Sequence, residues 1–145
     1  MKPFPLQAVV DLMQNRADET MRKLAQLITA EQSACRQLTM LEQYRDEYAL
    51  RFQQAIHQGV SRQGWQNYQD FLARLDAAIE QQALLVVQQK QHTAHGQTVW
   101  QQQQNKLKAF DTLSERHQRK TSVAELRHEQ KIQDEFAASR HKHDS

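Results

Sequence analysis

Residues 57–65 read HQGVSRQGW, and this stretch decides the fold. Gly59 can take the left-handed backbone conformation that ends a helix, and Ser61 is a natural N-cap for another. Upstream, the apolar residues keep a seven-residue period from Leu6 to Ala55. Setting Val10 as position a makes Ala17, Leu24, Leu38 and Phe52 its successors, with Met13, Leu27, Ala34, Leu41 and Tyr48 among the d positions. No breaker interrupts this run, which argues for a coiled coil rather than an ordinary surface helix. Glu31 and Arg45 occupy a positions, where polar residues cost stability and fix register or partner choice.

Downstream, Trp65 as a brings Leu72, Ile79, Val86, Thr93, Trp100 and Leu107 into line, with d positions Tyr68, Leu75, Gln82, Gln89, Gly96, Gln103 and Phe110. This seam is firm to Val86, weakens through the Gln-rich stretch and recovers at Trp100. Past Leu113 the heptad drifts, with Val123, Leu126, Ile132 and Phe136 as scattered apolar residues. A disordered linker is the other reading of the Gln-rich stretch, but flanking heptads and the absence of Pro and Ser favour a weak helical seam.

The expected fold is therefore all-α, a long two-helix antiparallel coiled coil forming one domain over 1–145. Its helices are expected at about 5–57 and 62–139, joined by a turn at 58–61, with a frayed tail to 145. A connection this short forces neighbouring helices to lie antiparallel. Composition agrees. The chain is 39% hydrophobic and 25% charged, with Gly 3 and Pro 2, and its mean hydropathy is −0.88. That is too little apolar material for a wide core and too few breakers for a strand-rich fold.

The formal net charge of +2 comes from 19 basic and 17 acidic side chains. No strong basic field exists to hold nucleic acid, and around the aromatics Asp46, Glu47 and Asp70 offset Arg45, Arg51, Arg62 and Arg74. Cys35 is the single cysteine, so no internal disulfide forms, which suits a reducing cytoplasm. No apolar run approaches the roughly 20 residues of a membrane span, and the start makes a poor signal peptide. Phosphate loops, nucleophile elbows and paired-Cys metal motifs are missing. His92 and His95 stand one turn apart with no third ligand beside them, and His141 and His143 fall in the expected tail. No enzyme activity, cofactor or metal is expected.

Residues 44–75 hold all the tyrosines and much of the remaining aromatic content. Gln37, Leu41, Tyr44 and Tyr48 form a 4-3-4 stripe on the first helix, and Phe71, Leu75, Ala78 and Gln82 form another on the second. Both stripes lie at similar distances from the turn. A two-stranded seam needs little beyond a and d, so this extra apolar surface reads as an interaction face. Tyr44, Phe71 and Ala78 are expected on its outward shoulder, with Phe52, Trp65 and Tyr68 locking the helices. Two other uses of the aromatics stand beside it: sealing the hairpin end, and self-association into a four-helix scaffold.

The segments LTMLEQYRDEY (38–48), RQGWQNYQDFLARLDAAIEQQ (62–82), QQNKLKAFDTLSERHQ (103–118) and AELRHEQKIQDEFAASR (124–140) resemble the enterobacterial type of FliJ, a component of the flagellar type III export apparatus. The W-x-x-Y-x-x-F element and its distance from Y-x-x-x-Y carry the likeness. The resemblance implies a non-catalytic stalk of chaperone type, cytoplasmic and peripherally associated with the inner-membrane export apparatus at the flagellar base. Its implied partners are the export ATPase ring, the cytoplasmic domain of the transmembrane export gate, and export chaperones. The implied gate-binding residues are Gln37, Leu41, Tyr44, Tyr48, Phe71, Leu75, Ala78 and Gln82, the last replacing the family's His. An injectisome counterpart of the same stalk is the alternative within this resemblance.

Overall fold

The structure, a computed structural model, describes residues 5–143 and contains two helices, α1 (Leu6–Gln58) and α2 (Arg62–His143). The boundary chemistry is local. Gly59 ends α1 with φ 94°, and its N–H donates to the Ile56 carbonyl at 3.1 Å. The Ser61 hydroxyl accepts from the Gly64 N–H at 3.0 Å, satisfying one of the donors that a helix start leaves open. The expected bounds of 5–57 and 62–139 thus become 6–58 and 62–143. Helix replaces the frayed tail as far as His143, and residues 144–145 lie outside the described residues. The Gln-rich stretch lies inside α2.

The two helices pack against each other as a hairpin. As α1 partners fall from Phe52 to Leu27, their α2 partners rise from Trp65 to Gly96, so the pairing is antiparallel. Contacts divide the chain expected as one domain into two compact units. The physical reason is that a two-helix seam makes only local contacts, so no single core spans the sequence.

The first unit, Glu19–Gln101, holds the turn and most of the seam. Ala34, Leu75 and Val86 are buried at d, d and a, and most other seam residues are half-buried. Polar seam residues find interhelical partners. Arg45 pairs with Asp76, the Gln82 amide donates to the Ala34 carbonyl at 3.0 Å, and the Thr93 hydroxyl reaches the Leu27 carbonyl at 3.3 Å. The helices approach closely at Gly96: a Cβ built there would lie 2.6 Å from Leu27 Cδ1.

The second unit contains residues 5–18 and 102–143. Val10, Ala17 and Leu107 form its buried cluster, with Met13 and Phe110 packed against it. Among the described side chains Ser114 is the last half-buried one of α2, and every side chain from 115 to 140 is exposed. This is the region where the heptad drifts, and the reason is the same: residues without a facing partner have no seam to maintain.

A candidate binding face beside the turn

All the site residues expected from sequence fall in the Glu19–Gln101 unit. Six rings from both helices form a continuous chain there. Phe52 stacks on Tyr68 with centroids 3.5 Å apart and tilts against Trp65. Tyr48 stacks on Tyr68 at 5.4 Å and meets Phe71 at 4.5 Å. Tyr44 closes the chain with an edge-to-face contact on Phe71 at 6.3 Å. Such pairs contribute about 0.5–1.5 kcal/mol each beyond the area they bury.

This arrangement redraws the expected division of labour. Tyr48, expected to face a partner, is half-buried between Tyr68 and Phe71. Leu75 is only 8% exposed and offers a partner almost no surface. Phe71 and Ala78, expected on the outward shoulder, are half-buried. In an antiparallel pair each g position flanks the g position of the other helix, so Tyr44 and Phe71 cover one another across the seam.

What stays open is a shallow groove of about 560 Å³ lined by Gln37, Met40, Leu41, Gln43, Tyr44, Glu47 and Gln82. Its apolar wall is built by Met40, 66% exposed, and Tyr44, 48% exposed, with Leu41 at the base. Gln82 forms the far rim and is held by bonds to the Ala34 carbonyl and to the Gln37 side-chain oxygen at 3.3 Å. Sequence reasoning missed Met40, Gln43 and Glu47, which stand at outward heptad positions. A large exposed apolar residue such as Met40 at an outward position was the available signal.

Glu47 is the charged side chain on the groove's lining. Arg45, next to Tyr44 in the chain, sits at an a position, its pKa raised above the ordinary arginine value by the hydrogen bond to Asp76 first and their charge attraction second. It remains a cation throughout the physiological range. Cys35 is a half-buried free thiol, while His92 and His95 are exposed. Among the described residues no helix is long and apolar enough to cross a membrane.

The fold is a coiled-coil helical hairpin, and the groove beside Tyr44 is its candidate binding face. Comparison with known sequences makes the class specific: the chain belongs to the FliJ family, because the model described as "Flagellar FliJ protein" matches residues 1–145. The Flagellar FliJ protein of Salmonella typhi is 33% identical over 132 residues, covering 91% of this chain and 90% of that protein. The Flagellar FliJ protein of Escherichia coli strain K12 is 32% identical over the same length. Membership makes the chain a flagellar protein of the export apparatus, in a family not known for enzyme activity.

Proposed function

We propose that the chain is a non-catalytic stalk of the flagellar export apparatus. Its helix ends away from the turn enter the export ATPase ring, and its turn-proximal face docks on the cytoplasmic domain of the transmembrane export gate. Export chaperones meet the same stalk, which works in the cytoplasm at the inner-membrane base of the flagellum. The observation that carries this reading is the groove beside Tyr44, an open apolar wall rimmed by Gln37, Gln43, Glu47 and Gln82. Contiguous apolar surface with a polar rim is the usual form of a docking site, and Tyr buries large area with little rotamer loss. Gate contact is drawn on Gln37, Leu41 and Tyr44 first, with Phe71, Ala78 and Gln82 on the flank. Tyr48 and Leu75 support the face from within.

Tyr44→Ala tests this. It removes a half-exposed ring whose one aromatic contact is with Phe71. Binding to the purified gate domain is expected to weaken by about tenfold or more, the loss of a single hot-spot side chain. Helicity and co-purification with the export ATPase should be unchanged. Undiminished gate binding by the variant would remove the groove from the proposal.

A second reading, self-association, is favoured by Leu84 (62% exposed), Leu85 and Val87, an apolar patch on α2 that the groove does not use. Solution mass separates the two: a stable oligomer that ignores the ATPase supports the scaffold, and a monomer that binds it supports the stalk.

A further inference from the structure

Gln82 stands half-buried at a d position of α2, where an apolar side chain would suit the seam better. Both protons of its side-chain nitrogen are engaged. One is donated to the Ala34 carbonyl at 3.0 Å and the other to the Gln37 side-chain oxygen at 3.3 Å. A backbone carbonyl only accepts, so the first bond settles which end of the Gln82 amide is nitrogen. Its second proton then settles the Gln37 amide, because an oxygen and not another NH2 group must face it. Orientation thus passes from the α1 backbone, which cannot turn over, to a groove-lining side chain that otherwise could.

The consequence lies at the groove. Gln37 is exposed. With its oxygen held by Gln82, its NH2 group is turned away from Gln82 and makes no hydrogen bond within the described residues. Register needs only the bond to Ala34. The bond to Gln37 acts instead on a side chain that a docked partner would meet.

We infer that Gln82 is a positioning residue, which fixes Gln37 as a hydrogen-bond donor so that the groove selects a partner group that accepts. This rests on the reading of the groove as the gate-docking face. The acceptor is a neutral carbonyl oxygen of the docked segment. No cation lines the groove, and its apolar wall would strip water from a carboxylate without compensation. Gln82 therefore acts on the partner through Gln37 rather than by touching it.

The test measures binding of the full-length chain to the purified cytoplasmic domain of the export gate. Tyr44→Ala, Gln37→Met, Gln82→Met and the Gln37→Met/Gln82→Met double variant are compared with the parent, and circular dichroism verifies that each remains helical. Methionine keeps the length of glutamine and removes its amide. Gln37→Met is expected to lose about fivefold, the size of one hydrogen bond. Gln82→Met should lose about two- to threefold, since Gln37 is then free to turn either way. The double variant should bind like Gln37→Met alone, because Gln82 has nothing left to orient. A Gln82→Met loss that persists in the Gln37→Met background is what a merely structural role gives, and it would overturn the positioning role. Undiminished binding by Gln37→Met would overturn the donor. Gln37→Lys separates the acceptors: tighter binding at low salt that high salt abolishes would reveal a carboxylate and overturn the neutral carbonyl. Undiminished binding by Tyr44→Ala would instead remove the groove from the gate reading, and this inference with it.

Discussion

Gly96→Ala sets two effects of similar size against each other, and the structure says how they divide. Replacing a helix-interior glycine with alanine favours the helix by about 1 kcal/mol. Against this, the new methyl would sit 2.6 Å from Leu27 Cδ1, well inside van der Waals contact, so Leu27 must turn away. A crevice of about 90 Å³ lined by Thr20, Lys23, Leu27, His95, Gly96 and Val99 gives it somewhere to go. Turning a side chain off its preferred rotamer costs about 0.5–1.5 kcal/mol, so Gly96→Ala alone should leave stability within about 0.5 kcal/mol of the parent, the difference between that cost and the helix gain. With Leu27→Ala already in place the clash is gone, and the same substitution should stabilise by about 1 kcal/mol. The double-mutant cycle isolates this coupling. Because the chain has two compact units, protection from amide exchange across residues 89–101 is the appropriate readout, with urea unfolding followed by circular dichroism beside it. If Gly96→Ala stabilises equally in both backgrounds, Leu27 does not pack over Gly96 and the close approach of the helices there is wrong.

Phe52→Ala removes the stack on Tyr68 and the contact with Trp65. Since Phe52 is only half-buried, the expected loss is about 2 kcal/mol, with exchange protection falling first next to the turn; uniform loss along both helices would contradict a local ring chain. Gly59→Ala meets no atom within 4 Å, so its cost is purely the left-handed backbone, about 1 kcal/mol. Gly59→Asn should cost visibly less, and equal costs in thermal melts would mean that the positive φ is not what matters. Asp76→Asn removes the ionic partner of Arg45. The pair is partly exposed, so the effect on stability should be small, present at low salt and erased at high salt; a large, salt-independent loss would show that the pair acts through packing.

The turn was legible in the sequence because capping chemistry is local: Gly59 and Ser61 act on backbone groups a few residues away. The seam was legible because burial repeats with the helix period, and every assigned a and d position of α1 in the described chain is buried or half-buried. Trp65 is the exception on α2, 47% exposed at an a position, since it lies at the first turn of its helix with little chain beyond it to cover it. The candidate face was legible only in part. Periodicity places Tyr44 and Phe71 at equivalent shoulder positions, but only the pairing of the helices shows that each covers the other. Met40 and Glu47 line the groove from positions that carry no periodic signal. The partner of Arg45 stands 31 residues away, and no local rule reaches that far.

Register links these facts. An apolar two-helix seam tolerates sliding by one heptad, about 10 Å of helix, because each leucine finds another on arrival. Gln82 with the Ala34 carbonyl opposes that slide within the Glu19–Gln101 unit, because after a slip the part-buried amide would lose its partner while remaining at the seam, which costs more than the bond was worth when made. Arg45 with Asp76 adds little, being partly exposed, and Thr93 would keep its bond to the Gln89 carbonyl. Gly96 adds a steric notch, since a bulkier residue carried into its place would strike Leu27. The groove depends on this register because its walls come from different helices, with Tyr44, Leu41 and Gln37 on α1 and Gln82 on α2. Gln82 belongs to both systems at once, holding register through Ala34 and rimming the groove through Gln37. A polar interruption that weakens the coiled coil is therefore what gives the groove a defined shape.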